Sequence, residues 1–367
     1  MKAAFLKSIL GIIVFLTALL SVSHLCLAEE QDAAQTAGKR SRLGGRLVGV
    51  SAVCFPQYTS PEKMAELLDQ AALDQPDIVL FTEGCMQNTP ATAAVKEKNA
   101  QADPLPEPGP ITKFLAAKAR QHHMYIIAGY WRKDPQGRGR YNSAVLLNRE
   151  GKLVGYYDKV FPTIYEMAEG IIPGSKATVF DTDFGRIGVM ICFDLNFPEL
   201  AAEYKKQGVE LLCFLSAFRG GKRLTALALQ NQCFIASAVP AENGVIIDPL
   251  GRVLAESSHY GRIIFARINL DSRIVHIDYN RDWVRQLKEK YGPLVQIETA
   301  SPEAVYFLSS LHPEKSIEEM MREFEIESYD DYLARSRNVR RRHLPEAEDA
   351  SIGTRVWSDK PSGAHNP

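Results

Sequence analysis

The chain has 367 residues, with 43 basic side chains against 44 acidic ones and a formal net charge of −1. That length at ordinary hydrophobicity supplies ample material for one large core with extensions, and the balanced charge lacks the basic excess of a nucleic-acid-binding surface. The six cysteines, Cys26, Cys54, Cys85, Cys192, Cys213 and Cys233, show no close paired spacing, which argues against a disulfide framework.

Lys2 and Lys7 precede an apolar stretch from Ile9 to Ala28, broken by Thr17, Ser21, Ser23 and His24. Residues 1–28 therefore read as a signal peptide or membrane anchor, and the product as exported, periplasmic or secreted. Cys26-Leu27-Ala28 offers cleavage after Ala28, whereas an uncleaved segment of this length would nearly span a bilayer and attach the protein to the membrane. Leu25 is a poor match for a lipoprotein reading of Cys26. Residues 29–45, rich in Ala, Gln, Gly and Arg, form a polar linker.

From residue 46 the pattern alternates between strands and helices. Pro61 to Leu73 reads as an amphipathic helix, and Asp77 to Thr82 is a short apolar strand that delivers Glu83 at its C-terminal end. Gly109 to His122 is a helix before a strand from Met124 to Tyr130. Lys152 to Tyr157 alternates like a strand and then presents Asp158 and Lys159. Arg186 to Ile191 is a buried strand that ends at Cys192, with Pro198 and Glu199 in the first turn of the helix that follows. Helices at Pro198 to Gln207 and Leu224 to Gln232 flank strands at Val209 to Ser216 and Phe234 to Val239. The order is that of an α/β sandwich.

Cys54, Cys213 and Cys233 fall inside apolar runs and read as buried thiols, while Cys85 is placed near the pocket beside Glu83. His122-His123 closes a helix without a partner at metal-ligand spacing, so no metal is expected. The loop from Arg219 to Arg223 lacks the remainder of a P-loop and reads as a pocket rim. Tyr130, Trp131, Tyr141, Tyr156, Tyr157 and Tyr165 read as core aromatics, with pocket-shaping as the alternative.

The corner at Cys192 carries the chemistry. A strand that breaks into a helix start presents its last side chain, and backbone N–H groups at such a corner can face a developing oxyanion. A free thiol is only a few per cent thiolate at neutral pH, so it needs a base and a cation nearby. Glu83 and Lys159, each at a strand end, can supply them.

TEG around Glu83, DKVFPT around Lys159 and ICFDLNFPEL around Cys192 together resemble the nitrilase, or carbon–nitrogen hydrolase, superfamily. Val48 to Cys54 resembles its first strand, and Val245 to Ala255 a late hairpin. The resemblance covers about residues 46 to 275 and implies a four-layer α-β-β-α sandwich. It also implies a second glutamate in PTIYEMAEGIIPG: Glu166 by its distance from Lys159, with Glu169 as the alternative. Phe193 and Asn142, flanking the motifs, are the expected substrate contacts.

What the resemblance implies is hydrolysis of a nonpeptide carbon–nitrogen bond, an amide or carbamoyl amide first and a nitrile next, without a cofactor. Cys192 would carry a thioester, with Glu83 as general base and acid and Lys159 as oxyanion partner. An acyltransferase using the same acyl-enzyme, or a noncatalytic binding module, are the alternatives. Family members commonly associate near the active site, so a homodimer or larger homo-oligomer is expected. The carbon–nitrogen hydrolase domain is placed at 46–290 and a helical C-terminal extension at 291–345, with helices at Ser316 to Phe324 and Tyr329 to Arg342. Arg340 to Arg342 reads as a solvated basic helix end, or alternatively as part of a subunit-contact arm. Residues 346–367 are polar and expected to be disordered.

Overall fold

Largely apolar runs of three to nine residues build two six-stranded sheets in the computed structural model, which describes residues 45–57, 59–86 and 93–344. The expected export segment, nearly all of the linker and the tail 346–367 lie outside the described residues. The first sheet comprises β1 (Leu47–Val53), β2 (Ile78–Phe81), β3 (Tyr125–Lys133), β4 (Arg140–Leu147), β5 (Leu153–Asp158) and β12 (Ile263–Asn269), in the order β12-β1-β2-β3-β4-β5. The second comprises β6 (Val179–Asp181), β7 (Arg186–Ile191), β8 (Leu211–Leu215), β9 (Phe234–Ala238), β10 (Val245–Ile247) and β11 (Val253–Glu256), in the order β11-β10-β9-β8-β7-β6.

Each sheet has a parallel centre, β1-β2-β3 in one and β7-β8-β9 in the other. Parallel neighbours need crossover connections, which put helices on one face of each sheet. The helix Pro61–Ala71 starts under a Ser60 cap, with Pro61 and Glu62 in its first turn, and buries Met64, Leu67, Leu68 and Ala71. It packs with the helix Pro110–His122 against Val79, Phe81 and Ile126. On the other side, the helices Pro198–Lys206 and Lys222–Asn231 cover Leu212, Phe214 and Ile235. Between the sheets, Val50, Ala52 and Leu80 meet Val189, Ile191 and Cys213. Strands buried on both faces explain why the runs are almost continuously apolar. The result is the expected α-β-β-α order of layers.

Beyond residue 290 the structure departs from an extension of helices alone. VQIETA and VYFLSS form β14 (Val295–Ala300) and β15 (Val305–Ser310), which pair antiparallel with each other and with β13 (Ser272–His276). Their β-branched and aromatic residues suit a pleated surface. The two expected helices are present as Ile317–Glu323, started by a Ser316 capping box, and Tyr329–His343, capped by Ser328. Val275, Leu287, Val295, Leu308 and Met320 share one apolar cluster, so residue 290 lies inside a packed unit rather than at its edge.

Candidate active site

In α/β sheets the carboxyl ends of parallel strands are where loops can build a site, and here β2, β7 and β8 end side by side around one cavity. Glu83 follows β2 by two residues, Cys192 directly follows β7, and Ala217 lies two residues beyond β8. The cavity, of about 310 Å³, is lined by Glu83, Asn142, Lys159, Glu166 and Cys192, together with residues from neighbouring loops. A larger hollow of about 920 Å³ lies between the helices Pro198–Lys206 and Lys222–Asn231, but none of its lining residues is a thiol.

Glu83 is 6 % exposed and accepts three hydrogen bonds. Lys159 Nζ and Asn142 Nδ2 donate to its Oε1 at 3.0 and 2.7 Å, and the Ala217 N–H donates to its Oε2 at 2.9 Å. The close approach of β3 helps fix this carboxylate. A Cβ on Gly129 would stand 2.8 Å from the Glu83 Cα and 2.9 Å from the Thr82 carbonyl oxygen, so only glycine fits without displacing backbone.

Lys159 follows β5 and is almost wholly buried. Besides Glu83 it donates to both oxygens of Glu166, at 3.0 and 2.9 Å. Burial opposes charge on this lysine, yet the Glu83 and Glu166 carboxylates hold its ammonium above the ordinary value. Glu166 is presented by the short helix Ile164–Ala168, where Thr163 and Glu166 form a reciprocal capping box. Burial raises its carboxyl, but Lys159, the Thr163 N–H and Asn142 outweigh that and keep it below the usual carboxylate range.

Cys192 adopts φ +50°, in the left-handed region that a non-glycine residue enters only under constraint. Asp194 supplies that constraint. Fully buried, it accepts from the Ile191 N–H at 2.8 Å, the Tyr157 hydroxyl at 2.7 Å and the Phe161 N–H at 2.8 Å. It thereby ties the turn after β7 to the loop that carries Lys159. Burial pushes the Asp194 carboxyl up to about 6 against those three donors. The Cys192 thiol shares the cavity with the Glu83 carboxylate and lies beside the Ser216 hydroxyl. Burial and the Glu83 charge push this thiol up to about 12, against the pull of Lys159 and Ser216.

Of the residues expected from sequence, Glu83, Lys159, Glu166, Cys192 and Asn142 come together in this cavity. Glu169 also lines it, but its carboxylate accepts from Lys98 at 2.6 Å instead of from Lys159. Phe193 is not among the lining residues. The turn after Cys192 points its ring outward, where it meets Phe197 edge to face. Nor does Cys85 reach the cavity: it is buried in the cluster between the first sheet and its helices. Trp131 and Tyr165 do line it, whereas Tyr130 and Tyr157 are buried in the apolar clusters. His122 bonds Asp69 at 2.6 Å on the surface, far in role from any metal site. Among the described residues no group of three or more His, Cys, Asp or Glu side chains is placed to hold a metal ion. Three polar contributors escaped the sequence reading: Asp194, Lys98 and Arg140.

Comparison with known proteins gives concordant results. A family described as carbon–nitrogen hydrolase matches residues 58–274. The omega-amidase NIT3 of Saccharomyces cerevisiae is 28% identical over 243 residues, covering 58% of this chain and 84% of that protein. Human omega-amidase NIT2 is 26% identical over 220 residues, covering 53% and 78%. Among solved structures, Saccharomyces cerevisiae Nit3 superposes with a TM-score of 0.55 at 22% identity, over 68% of this chain and 96% of that one. An amidase from Nesterenkonia sp. gives 0.51 at 20% identity, over 68% and 97%. These structures share the fold.

Proposed function

The chain belongs to the carbon–nitrogen hydrolase family, and from that premise we propose that it hydrolyses a small amide through a thioester on Cys192. The observation that carries this reading is the meeting of Glu83, Lys159, Glu166 and the Cys192 thiol in one small, largely buried cavity. The omega-amidase and amidase names of the relatives support an amide ahead of a nitrile.

The chemistry follows from the side chains. With its proton held tightly, the resting sulfur is a thiol, and attack on the amide carbonyl requires transfer of that proton to the Glu83 carboxylate that shares its cavity. As the C–S bond forms, negative charge develops on the carbonyl oxygen. The Lys159 ammonium and a backbone N–H of the turn after Cys192 are the donors available to it, each worth about 3–4 kcal/mol in a well-placed site. Collapse of the tetrahedral adduct breaks the C–N bond, and Glu83 returns the proton to the departing nitrogen. Glu83 then takes a proton from water as its oxygen attacks the thioester, and the acid leaves with the thiol restored. Glu166 makes no bond to the reacting atoms in this scheme. It holds Lys159 in place and charged.

The test is to incubate the purified protein with panels of short amides and nitriles and to measure ammonia. Release from amides supports the reading, and no release from either panel contradicts it. Two further proposals rest on the sequence: that the enzyme works outside the cytoplasm, from the apolar segment after Lys2 and Lys7, and that it assembles at least as a dimer. Cell fractionation and sedimentation, respectively, test them.

A further inference from the structure

The helix Tyr329–His343 takes no part in the chemistry above, and it divides into a fastened half and a bare one. Ser328 caps its start, Asp330 accepts from Lys205 at 2.9 Å and from Gln232 at 2.7 Å, and the Tyr332 ring stacks on His276 at 4.5 Å. Arg335 completes the fastening with a two-pronged pair to Glu327 at 2.8 and 2.7 Å. From Ala334 to His343 every residue is exposed, so nearly three turns, about 15 Å of helix, stand in solvent.

This bare half is rich in arginine, in a chain whose net charge is −1. Arg335, Arg337, Arg340, Arg341 and Arg342 fall close together, and no acid follows Asp331 until Glu346. Among the described residues no carboxylate reaches Arg337 or Arg342, and Arg341 donates to the neutral Asn338 Oδ1 at 2.8 Å. The helix dipole favours cations in the last turn, but not as far back as Arg337. Spacings of three and four residues set Arg337 beside Arg340 and Arg341, and like charges so placed weaken a stretch of helix that has no packed face to hold it. An anionic surface removes that repulsion, and guanidinium forks match phosphate oxygens in pairs.

We propose that the arginines in the second half of this helix dock on an anionic phospholipid surface. The choice of lipid rests on the export proposal, under which the extended polyanion within reach is a bilayer rather than a nucleic acid. Position supports it. Residues 29–44 join the apolar segment to Gly45, whose N–H donates to the His312 carbonyl at 3.2 Å. His312 lies two residues beyond β15, and β15 pairs with β13, which ends at the His276 that fastens the helix. The end of the linker and the arginine helix are therefore attached to one three-stranded sheet. A polar linker of this length has a typical span of about 20–25 Å, which keeps the helix within reach of the bilayer that the apolar segment would enter. Each arginine near such a surface strengthens attachment roughly fivefold, and three together roughly a hundredfold.

The experiment follows trypsin cleavage of the full chain after Arg337, Arg340, Arg341 and Arg342 by mass spectrometry, relative to cuts elsewhere in the chain. The probes, at physiological salt, are vesicles of phosphatidylglycerol with phosphatidylcholine, vesicles of phosphatidylcholine alone, and poly(U). The anionic vesicles should slow these cuts roughly tenfold or more, the other two probes should not, and about 1 M salt should restore cleavage by screening. In a variant carrying Arg337→Gln, Arg341→Gln and Arg342→Gln, all at exposed positions, cleavage after Arg340 should run equally fast on both kinds of vesicle. Equal cleavage of the wild-type chain on anionic and neutral vesicles overturns the inference, even where the apolar segment holds the chain on both. So does protection by poly(U) that matches or exceeds that by anionic vesicles, and so does protection that survives in the variant. Export is read separately by fractionation and hydrolysis by ammonia release, so failure here leaves both of those proposals standing.

Discussion

Lys159 and Glu166 form a two-pronged ion pair, in which Nζ reaches both carboxylate oxygens at 2.9 and 3.0 Å, while the same ammonium donates to Glu83 at 3.0 Å. One buried cation thus neutralises two acids with different tasks. Removing it leaves two carboxylates facing each other out of water.

Lys159→Met should therefore harm both stability and rate. Breaking a buried pair from one side costs about 3–5 kcal/mol, and loss of an oxyanion donor costs about 10²–10³ in kcat. Urea unfolding and steady-state kinetics on amides read the two effects. A variant of wild-type stability would show that the three groups are not coupled as described.

The Glu166 pair should be visible in the acid limb of stability. Its carboxyl lies below the usual range in the folded chain and at about 4.3 when unfolded. Between those values the unfolded state binds the extra proton, so the contribution is complete above about 4.3 and is lost as pH falls through the folded value. Urea unfolding at stepped pH should show the gap between wild type and Glu166→Gln narrowing below about pH 4. A gap independent of pH contradicts the ion pair.

Glu83 has two opposed effects on Cys192, and a substitution can separate them. Its charge raises the thiol, while its carboxylate is the acceptor for the thiol's proton. In Glu83→Gln, alkylation of Cys192 by iodoacetamide should begin at lower pH than in wild type, yet amide turnover should fall by about 10²–10⁴. Parallel loss of both reactivities would contradict the assignment of Glu83 as base.

Gly129 is the position where backbone spacing sets the site. An added methyl would strike the Glu83 Cα and the Thr82 carbonyl, neither of which can swing away. Gly129→Ala should cost about 1–3 kcal/mol from overpacking and of order 10² in kcat from displacement of Glu83. Thermal unfolding and kinetics together check this, and a fully active variant would contradict the packing argument.

Much of this molecule is readable before folding. The strand ends at Glu83, Lys159 and Cys192 are legible because apolar runs stop abruptly at polar residues, and their shared position at sheet ends makes them converge. Phe193 misled because sequence adjacency to a nucleophile says nothing about direction once the chain turns through φ +50° at Cys192. Arg140 was missed because a lone arginine entering a strand resembles a surface cation, although its two-residue spacing from Asn142 places both on one face. The hairpin at Val295–Ala300 and Val305–Ser310 alternates well enough to be read as strands, but its partner β13 comes from before residue 290, and that pairing is long-range. Asp194 carries no local signal of its role, since its three donors come from separate segments.

The claim on which all else depends is that the sulfur of Cys192 carries the acyl group. The most direct measurement is rapid-quench mass spectrometry of the protein mixed with an amide it hydrolyses, followed by mapping of the peptide that contains Cys192. The account predicts an adduct on that cysteine with the mass of the substrate less ammonia, formed and lost at rates compatible with turnover. Ammonia release by wild type with no such adduct, and undiminished release by Cys192→Ala, would contradict it.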